Sequence, residues 1–596
     1  MPYQELKNFT QQVREDLLAE RNPQGHWDGY LSDSALATSV AVAALLHARR
    51  QGLGPGNAEE LISKGLGWLN SHRNKDGGWG DCPESPSNIS TVTLTYATLR
   101  LAKSEGVLAQ EAESSLQAAE AWLKHDIGAL QPDNLASTLY ERYGKDRTFA
   151  VPILTHCALA GILGEGKEAW KLVKPLPFEL STLPHALYKS VKMDVVSYAL
   201  PALIAIGYSR HQHLPSNNWI LRTLRNLTSG KALKLLQEIQ PSSGGYLEAT
   251  PLTAFVTQSL ICSNLGNHPV VPQALNFLAN QARPNGSWPI DANLRTWVST
   301  LSVNALTSGD WELPKEDAQT FTDWLTGQQW NEVHPYTHAA PGGFAWTDLP
   351  GGVPDADDTP GALLALKNLR HPPSPQVESA LKWLFQLQNN DGGIPTFCRG
   401  WGKLPFDQSS PDLTVHTLRA WNAWRKDFPH IQPLMHNAQQ RALKFLSKTQ
   451  HPEGYWVPLW FGNQHAANQC NPTFGTSRVL SGLAELPIDT SHLQKPALAW
   501  LRNAQNSDGS WGGDVGTVGS IEETSLALHA LLCNEPTEHR EAIDKSLLFL
   551  KNYVDENGYL AAPIGLYFAK LWYHEKLYPH TFLLSALEKA SSILKL

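Results

Sequence analysis

Charge is what this chain of 596 residues has least of: Asp, Glu, Lys and Arg make up 17% of it, against about 25% in ordinary soluble domains. Basic residues are the scarcer sign, 48 against 56 acidic, for a net charge of −8. A surface made for phosphate backbones clusters Lys and Arg, so nucleic acid is not expected as a partner. Cysteine is sparse too. The thiols at Cys82, Cys157, Cys262, Cys398, Cys470 and Cys533 form no C-x-x-C, and even the nearest pair, Cys470 and Cys533, is 63 positions apart. Reduced core thiols in a cytoplasmic setting are expected, with neither disulfides nor a zinc centre. Long apolar runs are missing: the longest, "ALATSVAVAALL" from Ala35 to Leu46, falls short of the roughly 20 residues that cross a bilayer. The first twenty residues carry charge throughout, so no secretory leader is expected. Alternating β-type runs are nearly absent, and the length favours two or more domains.

What the chain has in excess is tryptophan, 21 in all, and the placement is regular. One unit recurs: an aromatic-Leu pair, a polar stretch often ending in Gln, then Asn/Asp-Gly and an aromatic. Its copies are "WLNSHRNKDGGW" (68–79), "FLANQARPNGSW" (277–288), "WLFQLQNNDGGI" (383–394), "FLSKTQHPEGYW" (445–456) and "WLRNAQNSDGSW" (500–511), with weaker ones ending at Trp27, Tyr246 and Tyr559. From Ile394 the end residues Trp456, Trp511 and Tyr559 follow at 62, 55 and 48 positions, too long for short helical repeats. Segments such as "ETSLALHALLCN" and "DLTVHTLRAWNAW" between the copies carry apolar residues at helical spacing. The unit therefore reads as a helix, a Gly turn with positive φ, an aromatic that packs back on the turn, and a second helix. Two helices per unit cannot bury their faces alone; about eight units predict an all-α protein of two α/α barrels. The repeat is interrupted between about Leu101 and Trp219. That places one barrel at 30–290 and a second, carrying the acidic motif below, at 291–596 together with 1–29. The repeat tryptophans are expected to stitch helices, not to bind ligand.

"VPDADDTPG", Val353 to Gly361, breaks the pattern with three aspartates in four positions. It follows a Gly/Pro-rich loop and precedes an apolar helix, so one Asp caps the helix and a second suits its dipole. A third opposes the others, and such a group stays buried only if a carboxyl keeps its proton. In an apolar cavity that proton is a Brønsted acid. The other reading is a Mg²⁺ site for a diphosphate, which would want basic neighbours that the flanks do not supply.

The repeat, of the form Q-x-x-x-G-x-W, and the D-x-D-D-T of Asp355 to Thr359 together resemble the squalene-hopene cyclase family of class II terpene cyclases. The resemblance covers essentially the whole chain. It implies α/α barrels and a cofactor-free, metal-free cascade started by protonating the terminal alkene of a linear polyprene, most plausibly squalene. Asp357 would be the proton donor, with Asp355 and Asp358 beside it. The pair Asp412 and His416 in "PDLTVH" matches the family's Asp-x-x-x-His. A protonated His416 would increase the acidity of Asp357 while Asp412 holds the ring. Cation-stabilising aromatics would be Trp297, Trp346, Phe397, Trp460 and, in "LYFAKLWYHEKLYP", Tyr567, Phe568 and Tyr573. The resemblance further implies a monotopic protein on the cytoplasmic membrane, with a homodimer left open.

The chain departs from the family at several points. Ser, Thr and Leu in "SALATSV" and "STVTLTY" stand where hopene formers carry acids. A lining Trp is replaced around Val196, and Pro360 stands where a small residue is usual. Phe474 takes the place of the Tyr before "GT", leaving Gln464, Asn468 and Asn471 of the preceding insertion as candidates to supply its hydrogen bond. The segment between the barrels is shortened to the basic, amphipathic 216–236, suited to an anionic membrane surface. Two neighbouring activities remain open, a class II cyclase acting on a prenyl diphosphate or on a C35 polyprene. From a different class comes a non-catalytic or zinc-dependent α/α-barrel prenyl-binding protein.

Overall fold

The structure is a computed structural model that describes residues 1–144, 148–183, 199–335, 337–397, 399, 405–565 and 569–594. Val196, Cys398, Tyr567 and Phe568 lie outside the described residues. Helices dominate, and the β pairing among the described residues is confined to isolated bridges. The chain divides into two compact units, one of Leu31–Ala292 with Leu349–Gly351, the other of Met1–Tyr30, Asn293–Asp348 and Gly352–Leu596.

In the second of these, Arg295–Leu306, Asp358–Asn368, Pro411–Trp424, Pro472–Ala484, Ile521–Cys533 and Tyr578–Ile593 each pack on the next, and the last returns to the first, closing an inner ring. Tyr3–Ala19, Pro375–Leu387, Gln432–Thr449, Ser491–Asn503 and Arg540–Asn557 lie outside it, each against an inner helix. The other unit repeats the plan with Ala35–Arg50, Ile89–Ser104, Ala150–Leu159, Leu200–His213 and Thr250–Ile261 as inner helices. Both units are thus α/α barrels. Composition explains which helix goes where. The inner Ala35–Arg50 is buried at every residue from Ala35 to Ala48, as its small apolar run allows. The outer Ser491–Asn503 buries only the stripe Leu493, Ala497, Leu498, Trp500 and Leu501, the spacing of one helix face. Some hydroxyls inside the rings are satisfied by their own helix, as where Thr257 donates to the Thr253 carbonyl at 2.6 Å and Ser302 to that of Val298 at 2.7 Å.

Three fasteners make the repeat rigid. The indole N–H of Trp27, Trp79, Trp288, Trp456 and Trp511 donates to the leucine carbonyl ten residues earlier, at 2.6–2.9 Å. Where a copy carries the Gln, at Gln240, Gln388, Gln450 and Gln505, its amide ties the Gly turn to the next outer helix: Gln505 donates to Gly509 at 3.0 Å and to Ala542 at 3.0 Å. Finally the main-chain N–H of the aromatic donates to a hydroxyl on the following inner helix, Trp456 to Thr476 at 3.0 Å and Trp511 to Thr524 at 3.0 Å. Gly509 has φ +92°, and a Cβ there would stand 2.6 Å from the Lys545 carbonyl. Glycine is needed both for the turn and for the approach.

One copy is concealed in the sequence. Gln329 donates to Gly342 at 2.8 Å and to Gln376 at 2.9 Å, and the Phe344 N–H donates to the Thr359 hydroxyl at 2.9 Å. These are the same fasteners, but Gln and Gly are 13 positions apart where other copies have four.

Candidate active site

The acid motif begins where this concealed copy ends. The Asp355 N–H donates to the Phe344 carbonyl at 3.0 Å and the Ala356 N–H to that of Thr396 at 2.9 Å, which clamps the segment on both sides. Thr359 is the repeat's hydroxyl fastener. Four residues before it, Asp355 holds the place that the caps Ser34 and Ser520 hold ahead of Thr38 and Thr524. It does the same work: its Oδ1 accepts from the N–H of Asp357 at 2.9 Å and of Asp358 at 2.8 Å. The Asp358 carboxyl hydrogen bonds back to that of Asp355, and burial pushes both groups above the ordinary carboxylate range.

Asp357 is left with no capping bond. Asp355 and Asp358 are 3% and 1% exposed, whereas Asp357 is half-buried and opens onto a narrow cavity. That cavity is walled by Trp297, Leu301, Phe461, Phe474 and Phe582, with Asp412 and Arg478 as its other polar groups. Burial pushes the Asp357 carboxyl well up, the negative charges of Asp355 and Asp412 add to this, and Arg478 pulls the other way. The protonated carboxyl is the form that these surroundings favour.

Asp412 stands two residues before the fastener Thr414, as Asp357 stands two before Thr359, on adjacent inner helices. Equal register brings the two carboxyls to one cavity. Asp412 Oδ1 accepts from the Ser410 hydroxyl, and its pKa is raised by burial. It does not hold His416, whose ring nitrogens have no side-chain partner. The expectation of a protonated imidazole is corrected: burial lowers the His416 pKa well below its ordinary value, and the charges of Arg478 and Arg419 lower it further. His416 is neutral, 4% exposed, and packs near Gly361.

Phe474 lies in the cavity wall and stacks on Phe461 at 4.3 Å. The lost hydroxyl is not restored. Asn471 caps its helix by accepting from the Phe474 N–H at 2.9 Å, and its amide donates to Glu523 at 3.0 Å. The Gln464 side chain has no partner, and Asn468 is exposed. Trp297 lines the cavity, its indole N–H donating to the Tyr578 hydroxyl at 3.0 Å. Tyr573 reaches the same hydroxyl at 3.5 Å. Trp346, Phe397 and Trp460 cluster with Phe406, ring centres 5.3–5.9 Å apart, and the Trp346 carbonyl accepts from the N–H of the cavity-lining Trp297 at 3.2 Å.

Sequence reasoning missed Arg478, Phe461, Tyr578 and Phe582. Arg478 follows Phe474 by four residues, one helical turn on the same face, and that spacing was its signal. Glu522 was also missed, although it stands two residues before Thr524, the register of Asp357 and Asp412. Burial and the neighbouring Glu523 push it up to about 8, and it accepts from the Ala562 N–H at 2.8 Å.

Tandem Gln-Gly-aromatic helical repeats closed into α/α barrels, with a D-x-D-D-T acid at the start of an inner helix, define a class II terpene cyclase. Residues 294–590 match the model of the squalene-hopene cyclase C-terminal domain and residues 10–137 that of the N-terminal domain; the chain belongs to the squalene-hopene cyclase family. It is 24% identical over 592 residues to a squalene hopane cyclase of Aspergillus fumigatus, a match over 82% of this chain and 75% of that one. It is 30% identical over 322 residues to sporulenol synthase of Bacillus subtilis, 48% of this chain and 47% of that one. It spans 31% of a terpene cyclase-glycosyl transferase fusion protein of Humicola fuscoatra, at 26% identity and over 61% of this chain. Among solved structures, the ent-copalyl diphosphate synthase of Streptomyces platensis superposes with a TM-score of 0.55 at 16% identity, over 98% of this chain and 99% of that one. This last likeness is one of fold.

Proposed function

We propose that the protein cyclises squalene, or a linear polyprene like it, to a polycyclic triterpene, with Asp357 as the proton donor. The observation that carries this is the Asp357 carboxyl, left out of the helix cap and with its pKa pushed well up by burial, at the wall of an aromatic cavity. In the first step the Asp357 O–H bond breaks and the π pair of the terminal alkene takes the proton. A C–H bond forms, a tertiary cation is left on carbon, and the O–H pair stays on Asp357 as a carboxylate. Each ring closure then uses the next π bond. The cascade ends when the last cation loses a proton or captures water, which then loses one. Trp297, Phe461, Phe474 and Phe582 face the cation with ring π density, roughly 0.5–2 kcal/mol each when desolvated, and exclude the water that would trap it early. A diphosphate reading is less well supported, because the cavity offers one guanidinium and no cluster of basic groups.

The test is incubation of the purified protein with squalene, a C35 polyprene and geranylgeranyl diphosphate in parallel, with extracts analysed by mass spectrometry. A polycyclic C30 product from squalene is expected. Conversion of the diphosphate alone would end the proposal.

We also propose that the protein meets its substrate at a membrane surface, although no helix among the described residues is long and apolar enough to cross one. Trp219–Glu238 exposes Trp219 at 68%, Ile220 at 60% and Leu227 at 75%, together with Leu224. Ile220, Leu224 and Leu227 follow helical spacing, and Arg222, Lys231 and Lys234 are exposed on the same helix, the composition of an interfacial helix on anionic lipid. Changing Trp219, Ile220, Leu224 and Leu227 together to Ser is expected to lower partition onto anionic vesicles at least about tenfold, read by flotation. Unchanged flotation would refute the assignment.

A further inference from the structure

Arg478 is the cation in the lining of the acid cavity, and the reaction as described has no use for it. It sits on the inner helix Pro472–Ala484, one turn beyond Phe474, and lines the cavity with Asp357 and Asp412. Like Asp357 it is half-buried and lines the cavity. Arg419, the other guanidinium nearby, is committed: it meets both oxygens of Glu485 at 2.8 and 2.9 Å. Among the described residues no acidic group lies within ion-pair distance of Arg478, and it makes no hydrogen bond. A buried cation without a partner is costly. The groups whose charges act on it are Arg419, Asp357, Asp412 and Glu485, and it acts in turn on His416 and His529. Both histidines are neutral, His529 with its pKa down at about 3. Burial brings the Arg478 pKa down to about 10, so it stays charged at neutral pH.

We infer that Arg478 is a positioning residue for the acid: its unpartnered guanidinium in the cavity wall becomes paired only when Asp357 gives up its proton. The inference rests on the proposed role of Asp357. Before proton transfer Arg478 shares the cavity with a neutral Asp357. Afterwards Asp357 is a carboxylate between Arg478 on one side and the new carbocation on the other. An interaction present after the step and absent before it lowers the barrier without tightening substrate binding. This is the charge that the resemblance assigned to a protonated His416. Arg478 is suited to it because guanidinium keeps its proton under burial that neutralises imidazole.

Arg478→Gln and Arg478→Lys test the inference in the full-length protein. The first readout is the infrared band of the protonated Asp357 carboxyl, identified as the band that Asp357→Asn removes, followed against pH. This needs no substrate, so it stays readable if the protein proves to act on something other than a linear polyprene. The Asp357 titration is expected to move to higher pH by about one unit or more in Arg478→Gln, a tenfold weaker acid, and by less than half of that in Arg478→Lys. In the second readout, turnover by Arg478→Gln is expected to fall about 10²-fold with little change in KM, and Arg478→Lys to recover most of it. A titration that does not move would overturn the inference whatever happens to turnover, since a structural role alone lowers the rate without changing the acidity. If Arg478→Gln does not fold, Arg478→Lys against wild type decides: a titration and turnover unchanged from wild type support charge as the function, whereas a loss as large as for removal of Asp357 overturns it.

Discussion

Replacing Asp357 by Asn is expected to lower cyclisation about 10³-fold or more while the protein stays folded and its melting temperature holds level or rises. The amide fills the same space, but its N–H is no acid toward an alkene. No neighbour can take over. Asp355 is held by the N–H groups of Asp357 and Asp358, and Asp358 is hydrogen bonded to Asp355. Asp412 opens on the same cavity but accepts from Ser410. The stability side follows from the direction of the pKa shift. A carboxyl whose folded pKa lies above its unfolded value contributes fully below the unfolded pKa, and that contribution is lost as pH rises toward the folded one. Asn has no proton to lose, so the variant should gain on wild type as melting experiments are run at pH values increasingly above the ordinary carboxylate range. Asp355→Asn is the contrast: it keeps an oxygen for the cap, so the helix start survives and turnover falls far less. Wild-type turnover by Asp357→Asn would remove Asp357 from the mechanism.

How far the site could be read in advance depended on where each property resides. That three aspartates at a helix start exceed what capping uses is a local fact, and the structure assigns them separate tasks: Asp355 caps, Asp358 bonds to Asp355, and Asp357 faces the cavity. The last letter of D-x-D-D-T is local as well, since Thr359 is the hydroxyl that fastens Phe344, a part every repeat carries. The acid is therefore built on an ordinary repeat start, and the same register explains Asp412 and Glu522. That equivalence was hidden because the copy ending at Phe344 carries an insertion between Gln329 and Gly342. The charge on His416 could not be read locally at all. It is set by burial and by Arg478 and Arg419, one of which stands on a neighbouring helix. The i, i+4 spacing from Asp412 placed the two residues on one face without making them partners. For Arg478 the spacing from Phe474 marks the shared helix face, but hydropathy does not show that this face of a buried helix borders a cavity. The helical architecture, by contrast, was open to reading because Gly with positive φ and Trp at a fixed distance each carry their requirement in their own chemistry.

The second large effect concerns that architecture. Trp511→Ala is expected to destabilise its barrel by about 3–5 kcal/mol, read by denaturant titration, whereas Trp219→Ala should stay within about 0.5 kcal/mol. Trp511 is fully buried, its indole N–H donates to Leu501 at 2.8 Å, and its main-chain N–H is held by Thr524. Truncation opens a cavity and leaves the Leu501 carbonyl without its donor, a further penalty of about 1–3 kcal/mol if no water enters. Trp219 is 68% exposed at a helix start, so removing it uncovers nothing. The same residue type thus serves opposite ends. A Trp511→Ala protein as stable as wild type would mean that the ring is held by its inner helices alone. A Trp511→Ala protein that folds but turns over slowly would point to the register instead: the fastener Thr524 fixes where its helix begins, and the same fastener at Thr359 and Thr414 sets Asp357 and Asp412 into one cavity. The repeat that closes the barrel is in that sense also the device that places the acid.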